Sequence, residues 1–78
     1  MKTNDELKRM FFENENSLYW ERYDFVDPPY CWSVMAEIEL EGYKFYADGI
    51  ETVNLGYETT LLEVETPDGE KIILIDKV

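Results

Sequence analysis

Glutamates recur at alternate positions in two segments of this chain, a spacing that places carboxylates on one face of a β-strand. Glu37, Glu39 and Glu41 form the first row, and Glu63 and Glu65 form the second. Carboxylates arranged in this way are near enough to bind a divalent cation or to act as a general acid and base. They also suit a solvated or partner-binding strand face, which we favour because glycosidase-type chemistry would require a cleft in addition.

The residue types that most enzymes use for proton transfer or nucleophilic attack are missing or isolated. The sequence has no histidine, so no imidazole can activate the thiol of its single cysteine, Cys31. It also lacks the cysteine and histidine clusters that hold zinc, the acidic spacing of an EF-hand and a glycine-rich loop before a helix. We therefore predict a non-enzymatic protein that binds neither a metal nor another cofactor.

The charge balance limits the partners that this protein can bind. Eighteen acidic side chains oppose seven basic ones, giving a formal net charge of -11, and residues 31–78 hold eleven acids against three bases. Such a field repels nucleic acid and anionic membranes and attracts a basic surface. The sequence therefore favours a basic protein as the partner, with no direct binding of nucleic acid or membrane.

Length and composition predict one folded domain over residues 1–78. Hydrophobic residues make up 45% of the chain and aromatic residues 15%, whereas acidic disordered tails contain few of either. The lone cysteine excludes an internal disulfide, and no apolar leader follows Met1. The longest apolar runs, such as Ile72–Ile75, are too short to span a bilayer. We expect a cytoplasmic protein.

The first segment carries the start signals of a helix. Thr3 and Glu6 fit a capping box, which satisfies the free amide groups of a first helical turn. An apolar stripe at helical spacing follows, formed by Leu7, Met10 and Phe11. The polar run at residues 13–17 has no apolar anchor, so we expect the helix to end there after about three turns.

Residues 18–30 contain most of the aromatic side chains and allow two secondary structures. Alternation and aromatic content favour a strand, and a short second helix stays open as the alternative. Pro28-Pro29 ends either element. The aromatic cluster consists of Tyr19, Trp20, Tyr23, Phe25, Tyr30 and Trp32. These rings either fill the core of a small domain or anchor a partner.

The remaining sequence predicts strands joined by turns. Residues 31–40 alternate between apolar and polar side chains, and Glu41-Gly42 can close a two-residue hairpin. The predicted register pairs Leu40 with Tyr43, Ile38 with Phe45, Ala36 with Ala47, Glu39 with Lys44 and Glu37 with Tyr46. The face opposite the core is therefore polar and mostly negative.

Two further turns are predicted. Asp48-Gly49 marks the first, before a weaker apolar series at Ile50, Val53 and Leu55. Pro67-Asp68-Gly69 suits a type I turn followed by a left-handed glycine. The hairpin around this second turn would pair Glu65 with Lys71, Val64 with Ile72, Glu63 with Ile73, Leu62 with Leu74 and Leu61 with Ile75. We expect an α+β fold in which the N-terminal helix packs on an antiparallel sheet of four or five strands.

In its size, charge and rows of carboxylates, the chain resembles the small acidic inhibitors made by phages, including anti-CRISPR proteins and DNA-mimic anti-restriction proteins. The resemblance implies an inhibitor that occludes the nucleic-acid-binding surface of a host nuclease or CRISPR effector in the host cytoplasm. The predicted partner-binding residues are Glu37, Glu39, Glu41, Glu58, Glu63, Glu65 and Tyr46. An immunity protein or antitoxin that neutralises a basic toxin or nuclease is the alternative. A homodimer through an edge strand such as Ile72–Ile75 also stays open.

Overall fold

The structure, a computed structural model, describes residues 2–27, 31–52 and 56–77, which form a helix and an antiparallel sheet. Helix α1 (Asn4–Glu13) and a short 3-10 turn (Glu15–Ser17) precede the strands. The strands are β1 (Glu21–Asp27), β2 (Cys31–Leu40), β3 (Tyr43–Thr52), β4 (Gly56–Glu65) and β5 (Lys71–Asp76). They pair in chain order, each antiparallel to the next, so the predicted α+β fold is confirmed with five strands. The described residues include no helix with the length and apolarity needed to cross a membrane.

Helix α1 begins at the predicted capping box. The Glu6 amide donates a hydrogen bond to Thr3 Oγ1 at 3.2 Å, and the Thr3 amide donates to Glu6 Oε1 at 3.0 Å. The bond from the Thr3 amide lowers the pKa of the Glu6 carboxyl. After the last helical turn, the Asn14 side chain donates to the Met10 carbonyl at 2.9 Å, which satisfies one of the terminal carbonyl groups.

The core lies between α1 and one face of the sheet. Leu7 and Phe11 of the helix are buried, and the Phe11 ring lies 5.7 Å from the ring of Phe45. The other buried members of this cluster are Ala47, Leu62, Val64 and Leu74. A helix of this length extends about 15 Å, whereas a ten-residue strand extends about 33 Å. Helix α1 therefore covers only part of its face of the sheet, here called the helix side.

The first predicted hairpin is confirmed in every pair of its register. Strands β2 and β3 pair Leu40 with Tyr43 and Glu37 with Tyr46, with no irregularity between them. The turn has positive φ at both central residues, 51° at Glu41 and 83° at Gly42. Such primed turns match the right-handed twist of the strands that they join, so local turn chemistry and side-chain alternation specify the same register.

The predicted turn at Asp48-Gly49 is wrong, because both residues lie inside β3. Asp48 pairs with Leu61 and Gly49 pairs with Thr59, so Thr60 of β4 is the extra residue of a β-bulge. A glycine is required there because a Cβ atom at Gly49 would lie 2.5 Å from the Glu58 carbonyl oxygen. Of the expected apolar series around this site, Ile50 lies in β3, whereas Val53 and Leu55 lie outside the described residues.

The second hairpin confirms the predicted turn and three of the five predicted pairs. Three pairs form as predicted: Glu65 with Lys71, Val64 with Ile72, and Glu63 with Ile73. Beyond these pairs the register differs from the prediction. Leu62 pairs with Ile75 instead of Leu74, and Leu61 pairs with Asp76 instead of Ile75. The cause is a second bulge, at Leu74, which lets both Leu74 and Ile75 pack against the core. Burial of an extra apolar side chain offsets the interruption of the ladder.

Residues 21–27 form edge strand β1, which confirms the favoured strand interpretation of this segment. The strand begins three residues later than the aromatic alternation indicates, because the 3-10 turn and an extended connection come first. Its ladder with β2 shifts register twice, between Arg22 and Asp24 and between Phe25 and Asp27. Such irregularities weaken an edge strand as a template for pairing with another chain.

Candidate functional site: two faces of the sheet

The face of the sheet that α1 leaves free carries two cross-strand rows of side chains. The first row runs from β2 to β5 through Glu37, Tyr46, Glu63 and Ile73. The second runs through Glu39, Lys44, Glu65 and Lys71. We call this surface, with the adjacent Asp48, the acidic face. Neighbours within a row are about 4.8 Å apart, and residues two apart on one strand are about 6.7 Å apart.

The two rows differ in charge. Carboxylates and ammonium groups alternate in the second row, so opposite charges lie next to each other across the strands. The first row has Glu37 and Glu63 on either side of Tyr46 and contains no cation. Desolvation raises the pKa of the half-buried Tyr46 hydroxyl, and the negative charges of Asp48, Glu37 and Glu63 raise it further. The charges that act on Tyr46 are therefore negative, whereas those of the second row alternate in sign.

An open depression of about 650 Å³ lies over both rows. The residues that line it include Glu37, Tyr46 and Glu63 from the first row and Lys44 from the second. Its walls are side chains of a regular sheet, and the β2–β3 ladder beneath it is uninterrupted. The depression therefore combines fixed carboxylates with an aromatic ring, a combination that suits cationic side chains.

Five of the seven predicted partner-binding residues share the acidic face: Glu37, Glu39, Tyr46, Glu63 and Glu65. Glu41 lies in the adjacent β2–β3 turn and is exposed. Glu58 lies apart from them. Its carboxylate is 3.6 Å from Lys77 Nζ, and it borders a different cavity, beside α1. Beyond the bulge at Thr60, Glu58 pairs with Ile50 near the far end of β3, whereas Glu63 pairs with Tyr46.

One polar contact of this face has no signature in the sequence. The Tyr23 hydroxyl of β1 donates a hydrogen bond to Asp48 Oδ1 of β3 at 2.7 Å, across the intervening strand β2. This bond is the main reason that the pKa of Tyr23 is raised. It ties the irregular edge strand to the centre of the sheet and fixes the Asp48 carboxylate next to Tyr46.

The helix side carries a second unusual surface, beyond the end of α1. A cross-strand row there contains Phe25, Trp32, Glu51 and Tyr57. The rings of Phe25 and Trp32 are 4.7 Å apart. The ring of Trp20 stacks on that of Tyr57 at 5.4 Å with an angle of 12° between their planes. We call these four aromatic residues the aromatic surface.

Arg22 lies in the middle of the aromatic surface. Its guanidinium carbon is 5.4 Å from the centre of the Trp32 ring, and its Nε and Nη2 atoms donate to Oε1 and Oε2 of Glu51 at 2.5 and 3.2 Å respectively. This forked contact lowers the pKa of Glu51 and raises that of Arg22. Burial, followed by the interaction with Glu51, raises the pKa of the Tyr57 hydroxyl.

The aromatic cluster predicted from sequence does not supply the fully buried core, although Trp20 packs against it. Tyr19, Tyr23 and Phe25 are 77%, 55% and 43% exposed, and Trp20 and Trp32 are half-buried. Tyr30 lies outside the described residues. Tyr57, which sequence patterning left out, joins Trp20 because the Thr60 bulge changes which β4 side chains face the helix side. The sequence signal for this change of face would have been a period-two pattern interrupted by one extra residue.

Metal-binding arrangements are not found in the described part of the chain. None of its aspartate, glutamate or cysteine residues form a group of three or more that could hold a metal ion. Cys31 is a half-buried free thiol at the start of β2, where it pairs with Thr52 and Asp27. The two faces of the sheet are therefore the candidate functional sites, and both are suited to binding.

Comparison with known proteins gives no family assignment. No family model matches this chain, and neither the curated proteins nor the solved structures include a significant match. Function must therefore be inferred from the surfaces of this chain.

Proposed function

We propose that this protein is a non-enzymatic binding protein whose acidic face occludes the basic nucleic-acid-binding surface of another protein, such as a host nuclease or CRISPR effector. The observation that carries this proposal is the first row of the acidic face, in which Glu37 and Glu63 flank Tyr46 with no cation between them. The sheet holds these carboxylates in a fixed array that a partner can bind as it binds phosphates.

The chemistry of arginine and lysine supports the comparison with phosphates. An arginine fork makes charge-assisted hydrogen bonds to a carboxylate as well as to a phosphate. Because Glu37, Tyr46 and Glu63 come from three hydrogen-bonded strands, their backbone loses little freedom when a partner binds. Tyr46 provides an aromatic centre of the kind that often dominates binding energy when polar groups surround it.

Overall charge and shape support the same function. A net charge of -11 accelerates encounter with a basic surface and disfavours acidic partners. The molecule measures 43 × 22 × 18 Å along its principal axes, so it is long and narrow. A body of this shape, with charge fixed along a sheet, is suited to lie in a cleft that normally holds a nucleic-acid strand or duplex.

The test is a comparison of two double variants that change the net charge equally. Glu37→Gln/Glu63→Gln removes the carboxylates next to Tyr46, whereas Glu13→Gln/Glu70→Gln removes two exposed carboxylates outside the acidic face. Each protein is used to capture partners from nuclease-treated host lysate, and the affinity of a captured protein is then measured at several salt concentrations. We expect the first variant to bind at least about tenfold more weakly, because two desolvated charge pairs are lost, and the control to bind nearly as the wild type does.

Two results would contradict the proposal. One is equal binding by both variants, and the other is binding unaffected by about 0.5 M salt, at which surface charges are strongly screened. A captured toxin that the protein neutralises would identify the immunity-protein alternative, in which the same face binds a different class of target.

A further inference from the structure

The proposed function leaves the aromatic surface unused. This surface begins where α1 ends and continues into a cavity of about 430 Å³ whose lining includes Phe12, Leu18, Trp20 and Tyr57. Phe25 and Tyr57 are 43% and 49% exposed, although they lie on the side of the sheet that also forms the core. Partly exposed rings grouped in this way are typical of protein-binding sites.

Arg22 shows which chemistry this surface accommodates. Its guanidinium group lies over the ring of Trp32 and forks onto Glu51, so one ring and one carboxylate already bind an arginine of the same chain. A second ring pair, Trp20 and Tyr57, lies on the other side of Glu51 and has no guanidinium group over it among the described residues. Arginine is suited to such a site because it is planar, permanently charged and weakly hydrated.

The charges around the surface also favour a cation. Arg22 lies within ion-pair distance of the Glu51 carboxylate, and Lys77 lies within ion-pair distance of the Glu58 carboxylate. Glu15 lines the cavity as well, and no ion pair of its carboxylate is found in the described residues. The side chain of Glu58 is 70% exposed, so its carboxylate is accessible to a partner as well as to Lys77. The unmatched charge at the cavity is therefore negative.

We propose that the Trp20–Tyr57 ring pair binds an arginine side chain on an exposed segment of a basic protein. The guanidinium group stacks on the accessible part of this ring pair, and Glu58 and Glu15, which border the same cavity, supply the carboxylates. The inference rests on the proposed function only in its choice of a basic partner, since the acidic face lies on the opposite side of the sheet. A partner that binds both surfaces would enclose the narrow body of this protein from two sides.

Tryptophan fluorescence gives a direct test, because the two tryptophans of the chain, Trp20 and Trp32, both belong to the aromatic surface. The protein is titrated with hexa-arginine and with hexa-lysine at about 0.5 M NaCl, which weakens non-specific attraction to the acidic face. We expect a saturable change with hexa-arginine and at least about fivefold weaker binding of hexa-lysine, since stacking favours guanidinium over ammonium.

Variants identify the site. Tyr57→Ala should weaken hexa-arginine binding about five- to tenfold, and Tyr57→Phe, which keeps the ring, should bind as the wild type does. Glu58→Gln, at an exposed position, should weaken binding about two- to threefold even if Tyr57→Ala does not fold. Glu13→Gln/Glu70→Gln, which removes two exposed carboxylates outside both surfaces, should leave the affinity unchanged.

The inference is overturned if hexa-arginine causes no saturable change or binds no better than hexa-lysine. It is also overturned if Glu37→Gln/Glu63→Gln abolishes binding while the variants at Tyr57 and Glu58 do not reduce it. If hexa-arginine binds as expected but the acidic face captures no basic protein, only the proposed function is rejected. If the acidic face captures a basic protein but hexa-arginine does not bind, only this inference is rejected.

Discussion

Replacement of Gly49 by alanine tests the bulge that positions the aromatic surface. An added Cβ atom would lie 2.5 Å from the Glu58 carbonyl oxygen and 3.3 Å from its carbonyl carbon. Both atoms belong to the backbone of β4, so no side-chain rotation can relieve the contact. Ordinary van der Waals separation requires β4 to move by about 1 Å, which would weaken its hydrogen bonds to β3 next to the bulge.

The expected loss of stability follows from three contributions. Overpacking typically costs about 1–3 kcal/mol, and weakening one backbone hydrogen bond adds about 1 kcal/mol. The lower entropy of alanine in the unfolded chain offsets about 0.4–1 kcal/mol of this. We therefore expect the free energy of unfolding to fall by about 2 kcal/mol, a large part of the roughly 4–12 kcal/mol available to a domain of this size.

Urea denaturation followed by circular dichroism measures this change. With a slope of about 1–1.5 kcal/mol/M, the midpoint should fall by about 1.3–2 M. Gly69→Ala is the matched control, because Gly69 has a φ of 88° and open space around it, so the variant has backbone strain of about 1–2 kcal/mol without a clash. A Gly49→Ala midpoint equal to that of the wild type, with unchanged hexa-arginine binding, would refute the role assigned to this glycine.

Two further perturbations test the core and the tyrosines. Phe11→Ala should lower the free energy of unfolding by about 3–5 kcal/mol in urea denaturation, because Phe11 is fully buried against Phe45. Phe12→Ala, at a position that is 38% exposed, is its control, and equal losses in both would contradict the assignment of the core. Raised pKa values of Tyr23, Tyr46 and Tyr57 mean that the folded state holds these protons more tightly than the unfolded state, whose tyrosines titrate near 10.0. Their contribution to stability is therefore full below about pH 10 and is lost as the pH rises through the folded-state pKa values. A free energy of unfolding that stays constant or increases up to about pH 12 would contradict these shifts.

The sequence was sufficient to predict strand pairing wherever the local signals agreed with one another. The part of the β2–β3 hairpin next to its turn, from the pair Leu40–Tyr43 to the pair Ala36–Ala47, was predicted correctly because Glu41-Gly42 and the alternation of the flanking residues specify one register. Asp48-Gly49 was assigned wrongly because an Asp-Gly pair is a turn signal in isolation, whereas Gly49 is needed for close approach to β4. The bulge at Leu74 depends on the shape of the core and leaves no local signal.

The same distinction applies to the candidate sites. The acidic face was predictable because unbroken alternation places Glu37, Glu39 and Tyr46 on one side of a regular hairpin. Glu58 and Tyr57 were not predictable, because the Thr60 bulge separates them from the alternation of residues 61–65. The Tyr23–Asp48 hydrogen bond crosses a whole strand, and no sequence spacing indicates such a contact.

The packing of α1 on the β4–β5 hairpin has a consequence for synthesis on the ribosome. Helix α1 is made first, yet the buried partners of Leu7 and Phe11 include Leu62 and Leu74, which follow about 50–65 residues later. At a synthesis rate of about 5–20 residues per second, roughly 3–13 s pass between synthesis of the helix and synthesis of these core residues. A ten-residue helix is marginal alone in water, so its apolar stripe stays exposed during that interval. Strands β1–β3 can already form a meander then, because each pairs with its neighbour in the chain. We therefore expect the nascent chain to be most prone to aggregation just before β5 leaves the ribosome.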